Sequence, residues 1–194
     1  YCQAALDVAA GAPAPRLAVL ELSSYQLETL THLDVRAAVV TNLSPDHLDR
    51  YPDAARYYAA KARIFPLVSA GGGISLNAAD TETRNHLMSA VRGDRVRCDF
   101  DVPNGFEGIA IVGERLRVRY GGAAHEVVLA NPRIVGHHNR QNAAAAVAGA
   151  LLVGVPAHAW QQGLDGYAGI AHRLERIGEA GGVAWFNDSK ATNV

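Results

Sequence analysis

Glu21, His47 and Lys61 are the residues of this chain whose types and placement could hold a cation. Glu21 closes an apolar run over residues 16–21, and His47 follows a second one over residues 36–43. If both runs are parallel strands, the carboxylate and the imidazole stand just past their C-terminal ends. Ligands of open α/β sheets bind at that edge. On position alone the pair is a weak signal, because a Glu at a strand end is commonly solvated and a loop His commonly only polar. Lys61 lies on a helix expected over residues 53–65, beside Tyr57, Tyr58, Ile64 and Phe65. The plain alternative is a surface lysine whose stem lies along apolar neighbours; the aromatic neighbours favour partial burial.

A second group suits a nucleotide. Asn139 and Asn142 are three apart, so they share one face of a helix turn. Each carboxamide offers a donor and an acceptor, as the edge of adenine requires. Capping the helix is the alternative role for Asn139, but it would not account for Asn142. His172-Arg173-Leu174-Glu175 and Asn187-Asp188-Ser189-Lys190-Ala191-Thr192-Asn193 are dense polar stretches. In the second, Asp188 could accept hydrogen bonds from ribose hydroxyls and Lys190 could meet a phosphate. Taken singly, either stretch could be a polar loop.

These residues need a frame. Runs 16–21 and 36–43 with a short helix over 24–31 between them read as a βαβ unit. A helix over 53–65, a strand over 73–76, a helix over 80–90 and a strand over 95–100 extend the alternation. That order predicts a mostly parallel sheet covered by helices, an α/β fold. Between residues 105 and 129 the texture changes to three short runs separated by glycine turns. The alternation in residues 115–120 marks a strand with one wet face, so a small antiparallel β-meander is expected beside the main sheet. Residues 139–153 are the most secure helix, with Asn139 as its cap and Gly154-Val155-Pro156 as its stop. A helix over 157–164 and strands over 173–179 and 183–187 complete the reading.

Composition sets limits. The chain has 194 residues, room for one sizeable domain or one domain and a stub; 49% are hydrophobic and 19% charged. With 18 basic and 19 acidic residues the net charge is −1, so no overall basic field exists to hold nucleic acid. The longest apolar runs, such as residues 143–153, are too short for a membrane span. Cys2 and Cys98 are far apart and form neither a disulfide framework nor a CxxC metal motif, which fits reduced thiols in a cytoplasmic protein. The opening Tyr1 and the close at Val194, directly after a dense polar motif, suggest that part of the working protein lies outside these residues.

Taken in order, the motifs resemble the Mur ligase family. Glu21-Leu22-Ser23-Ser24-Tyr25-Gln26-Leu27-Glu28 and Asn42-Leu43-Ser44-Pro45-Asp46-His47-Leu48-Asp49-Arg50-Tyr51 carry the resemblance first. Ala60-Lys61-Ala62-Arg63-Ile64, Gly136-His137-His138-Asn139 with Asn142, His172-Arg173-Leu174-Glu175 and the stretch from Asn187 to Asn193 complete it. The likeness spans residues 16–194. The first and last of these motifs point to the family member that adds D-glutamate.

The resemblance implies a central, P-loop NTPase-like ATP-binding domain over residues 1–172, incomplete at its N-terminus. Residues 173–194 would end it and begin a C-terminal D-glutamate-binding domain. It implies a cytoplasmic ligase, a monomer, that couples UDP-N-acetylmuramoyl-L-alanine to D-glutamate through an acyl phosphate in peptidoglycan synthesis. ATP and two Mg2+ would be needed. Glu21, His47 and a carbamylated Lys61 would hold metal. Asn139 and Asn142 would contact adenine, with His172 nearby, and Arg173 and Asp188 would hold ribose and phosphates. Lys190 and Thr192 would border the phosphate and D-glutamate sites, and Ser23 the muramoyl substrate. The family's glycine-rich phosphate loop and uridine-binding domain are absent from residues 1–194, so this stretch alone is expected to be inactive. Other readings are a sister Mur ligase, a folylpolyglutamate synthetase, or a non-catalytic nucleotide-binding module.

Overall fold

The computed structural model describes residues 9–46, 48–91 and 93–190. Its element order is α1 (Ser24–Thr29), β1 (Val35–Val40), α2 (Ala54–Ala62), β2 (Val68–Leu76), α3 (Thr81–His86) and β3 (Val96–Arg97). There follow β4 (Gly108–Val112), β5 (Arg115–Tyr120), β6 (Ala123–Val128), α4 (Gly136–Leu152), α5 (Ala157–Asp165), β7 (Glu175–Ala180) and β8 (Val183–Asn187). Strands β1, β2 and β3 form a parallel sheet in that order, as the α/β reading required.

The run at residues 16–21 does not join that sheet. It pairs with no strand among the described residues, and Val19 is 91% exposed. An apolar strand is stabilised by a ladder partner and by cover on its faces. Among the described residues no ladder partner reaches this run and cover reaches little beyond Leu20, so the expected first βαβ unit is not formed. Strand β2 is longer than expected, nine residues rather than residues 73–76. Its register against β1 jumps from Val35↔Val68 to Ala37↔Gly73, a bulge taken up by the glycines at 71–73. Gly73 also has a packing reason: a Cβ there would sit 2.7 Å from the Leu152 side chain of α4. Helix α4 thus lies directly on the sheet, in contact with β1, β2 and β4.

The meander is as expected, antiparallel in the order β4-β5-β6. It is stitched to the parallel sheet through Phe100, which bridges Asn77 on one side and Ile109 on the other. Phe100 is fully buried, and its N–H donates to the Leu76 carbonyl at 3.1 Å. Two hydrophobic clusters result. One joins Tyr57, Tyr58, Phe65, Ile74 and Leu76 between the parallel sheet and α1–α3. The other joins Phe100, Ile109, Leu116, Val118, Ala144, Val147 and Trp160 between the meander, α4 and α5.

Helix α4 starts at Gly136, three residues before the expected position. Asn139 is therefore inside the helix and is not its N-cap. The cap position is Val135, whose side chain makes no capping bond. Asn139 Nδ2 instead donates to the Val135 carbonyl at 2.8 Å. The strand expected over 95–100 is reduced to β3, and the helix over 80–90 to α3 with a 3-10 turn at Met88–Ala90. Among the described residues no helix is long and apolar enough to cross a membrane.

Candidate functional site

The chain turns at the carboxyl ends of β1 and β2 are held by two side chains, one buried and one half-buried. Asn77, 2% exposed, donates from Nδ2 to the Thr41 carbonyl at 3.0 Å. Its Oδ1 accepts from the N–H groups of Ala79 and Asp80. Asp80 caps α3 by accepting from Thr83 N at 2.8 Å and also accepts from Leu43 N at 3.1 Å. The loop that runs from Thr41 towards Asp46 is thereby anchored at both of its first turns.

Beside that edge lies a cleft of about 1080 Å³. Glu21, Asn139, Asn142, Arg173 and Asp188, drawn from four separate motifs, all line it. Thr41, Arg133, His138, Glu175 and Arg176 line it too. Sequence reasoning gave Arg133 and Arg176 no role. A lone arginine after Asn131-Pro132 and another in a ribbon strand carry no local signal of a site. Glu21, Asn142, Arg173 and Asp188 are exposed to solvent in the cleft, and Asn139 is half-buried.

The far wall is built by hydrogen bonds between the two polar motifs. The Leu174 N–H donates to Asp188 Oδ1 at 3.1 Å, and Lys190 N donates to the His172 carbonyl at 3.1 Å. Asn187 Nδ2 and His172 Nδ1 are 2.8 Å apart, and Glu175 Oε2 accepts from His172 N at 2.8 Å. His172 and Leu174 have φ of 66° and 43°, left-handed values that non-glycine residues adopt only at a cost. This zipper turns Arg173 and Asp188 towards the cleft, while His172 and Lys190 are not among its lining residues. The floor is set by buried Asn131, whose Nδ2 donates to the carbonyls of Leu164, Asp165 and Tyr167. Its Oδ1 accepts from Arg133 N at 3.0 Å.

Lys61 lies outside that lining, on α2, with Nζ 5.1 Å from the centre of the Tyr57 ring. Burial lowers its pKa; Asp46, Tyr51 and Glu21 act in the opposite sense. The amine of Lys61 is therefore within electrostatic reach of Glu21 and Asp46 and is biased towards its neutral form. Asp46, beside His47, has a place in this group that sequence reasoning left unassigned. Tyr25 and Tyr51 stack next to it, with the Arg50 guanidinium 4.6 Å over the Tyr25 ring.

His47 and Thr192 lie outside the described residues. Ser23 is exposed, and its Oγ serves the capping box of α1, accepting from Gln26 N at 3.3 Å. A hydroxyl has a second lone pair, so capping leaves Ser23 acceptor capacity. Among the described residues no three His, Cys, Asp or Glu side chains gather closely enough to hold a metal. Magnesium does not require such a cluster, since it keeps waters and takes one or two protein oxygens along with phosphate. The Glu21 carboxylate could supply one such oxygen, and burial lowers the pKa of Lys61, the direction that carbamylation requires.

A parallel sheet with helices on it, and a polar cleft beyond its carboxyl ends, defines an α/β domain of the ligand-binding type. A family model for the Mur ligase middle domain matches residues 6–150, and the chain belongs to that family. UDP-N-acetylmuramoylalanine--D-glutamate ligase of Anaeromyxobacter dehalogenans (strain 2CP-C) is 44% identical to it over 194 residues, which cover 96% of this chain and 42% of that one. The ligase of the same name from Myxococcus xanthus (strain DK1622) is 44% identical over 184 residues, with 91% and 39% covered. The chain thus spans about two fifths of the length of these curated relatives. Among solved structures, MurF from Acinetobacter baumannii shares the fold with a TM-score of 0.62 at 24% identity, covering 79% of this chain and 33% of that one.

Proposed function

We propose that the chain is the central, ATP-handling part of a cytoplasmic ligase that joins D-glutamate to UDP-N-acetylmuramoyl-L-alanine in peptidoglycan synthesis. Residues 1–172 would form the ATP-binding domain and residues 173–194 its end and the start of a C-terminal domain. The observation that carries this reading is the shared cleft of Glu21, Asn139, Asn142, Arg173 and Asp188. The 44% identity to relatives bearing that name supports the choice of substrates.

The reaction brings two anions together, a carboxylate and a triphosphate. The muramoyl-L-alanine carboxylate attacks the γ-phosphorus of ATP and ADP leaves; the D-glutamate amine then displaces phosphate from the acyl phosphate. Asn139 and Asn142 present carboxamides to adenine, with His172 close by. Asp188 accepts from the ribose hydroxyls, and Arg173 offers a planar guanidinium to phosphate. Lys190 and Thr192 border the phosphate and D-glutamate, and Ser23 the muramoyl group. Glu21, His47 and carbamylated Lys61 would hold Mg2+, which supplies charge neutralisation between the two anions. Carbamylation needs a neutral amine, and burial of Lys61 lowers its pKa in that direction.

The test is an amino-acid screen on the full-length protein that carries this chain. Phosphate release should require ATP, UDP-N-acetylmuramoyl-L-alanine and D-glutamate together. Turnover with a different amino acid would reassign the substrate to that of a sister ligase. ATP binding without phosphate release would reduce the chain to a nucleotide-binding module.

A further inference from the structure

We propose that Asp101 is a positioning residue of the nucleotide pocket, acting through Gln141 and His137; this rests on the assignment of Asn139 and Asn142 to adenine. Asp101 is not in the cleft. It follows Phe100 at the seam between the two sheets, where its neighbours are fixed. Phe100 N donates to the Leu76 carbonyl at 3.1 Å, and Val102 N to the Ile109 carbonyl at 3.2 Å. Between these ties Asp101 has φ 54°, a left-handed value. Asp and Asn tolerate that region best after glycine, yet it remains costly. Such a conformation persists where the surroundings put the residue to use.

The use is visible on α4. Gln141 Nε2 donates to Asp101 Oδ2 at 2.7 Å, and His137 Nε2 is 3.4 Å from the same oxygen. Residues 137 and 141 are one turn apart and share a helix face. The Asp101 side chain is only 13% exposed, so its bond to Gln141 is shielded from water. Asn139 and Asn142 lie on the other side of the same two turns and line the cleft. A third direction is held by Arg140, whose Nη1 donates to the Gly113 carbonyl at 3.1 Å. The first two turns of α4 are thus gripped on their outer faces by the segment that leads into β4 and by the β4–β5 turn. The rotation of α4 about its axis, and with it the aim of both carboxamides, is set from outside the cleft.

Three variants separate positioning from stability. Asp101→Gly removes the carboxylate but places at φ 54° the residue most at ease there. Asp101→Asn keeps an acceptor for Gln141 and tolerates the backbone. Gln141→Ala removes the donor. In the full-length protein, Asp101→Gly and Gln141→Ala should each raise the KM for ATP about tenfold. The KM for D-glutamate should stay near that of the parent, Gln141→Ala should lower the Tm modestly because it unpairs a shielded carboxylate, and Asp101→Asn should recover ATP affinity to within about twofold. Unchanged KM for ATP in Asp101→Gly overturns the proposal, as does a loss of ATP affinity in Asp101→Asn equal to that in Asp101→Gly. A parent protein that binds no ATP would refute the adenine assignment and the proposal with it.

Discussion

Asn77 donates a hydrogen bond to the carbonyl of Thr41 across 36 residues of sequence, tying the carboxyl ends of two parallel strands together. The same side chain accepts from two backbone N–H groups in its own turn. It is buried, so no water can replace these bonds if the side chain is cut back. Asn77→Ala is expected to cost about 2–4 kcal/mol, because it leaves several buried polar groups unpaired. Chemical denaturation measures it; a loss below about 0.5 kcal/mol would show the turn to be held by other means.

Asn131 makes the comparable prediction on the other side of the cleft. Its Nδ2 serves three carbonyls in the last residues of α5 and just beyond it, and its Oδ1 orders Arg133. Asn131→Asp keeps the volume and the acceptor but replaces the donor with an anion facing those carbonyls. It should destabilise the fold by roughly 3 kcal/mol near neutral pH, more than Asn131→Ala. Equal Tm values for the two variants would contradict this account.

Lys61 should matter to activity far more than to stability. Lys61→Arg keeps a cation that cannot be carbamylated and puts a bulkier group beside Tyr57. Turnover of the full-length enzyme should fall by at least about tenfold, with little loss in Tm. Activity equal to that of the parent would remove the carbamate from the mechanism.

Cys98 should contribute to the alkaline limb of stability, alongside Tyr57, Tyr58 and Tyr120, whose pKa values burial also raises. Burial pushes its thiol up from the ordinary 9.0 to about 11, with Asp99 and Glu107 acting in the same direction. The folded chain therefore keeps the proton that the unfolded chain loses. Stability is fully present below pH 9 and falls as the pH rises towards 11. The interval corresponds to roughly 2–3 kcal/mol. Cys98→Ala should flatten that limb in denaturation curves between pH 8 and 11, and the native thiol should react slowly with disulfide reagents. Identical slopes for the two proteins would rule the thiol out as the cause.

Much of the fold was legible because its signals are local. The alternation in residues 115–120, the alanine-rich stretch of α4 and the stop at Gly154-Val155-Pro156 each depend on near neighbours, and the corresponding elements formed within a few residues of expectation. The start of α4 was misread because Asn139 is a good capping residue by type; its side chain bonds back to Val135 from inside the helix. The run at residues 16–21 was misread because apolar periodicity reports that a face wants cover but not whether a neighbour supplies it.

The sequence by itself determined the motifs and their order, and through them the family, because those are properties of residue type and spacing. Only the tertiary structure decided that Glu21 shares a cleft with Arg173 and Asp188, and that Arg133 and Arg176 face it as well. It alone placed Asp101 against Gln141, forty positions away. Contacts of that range arise from how the sheets are joined at Phe100 and how α4 lies over Gly73. Packing of that kind depends on shape complementarity between distant segments, which no local pattern encodes.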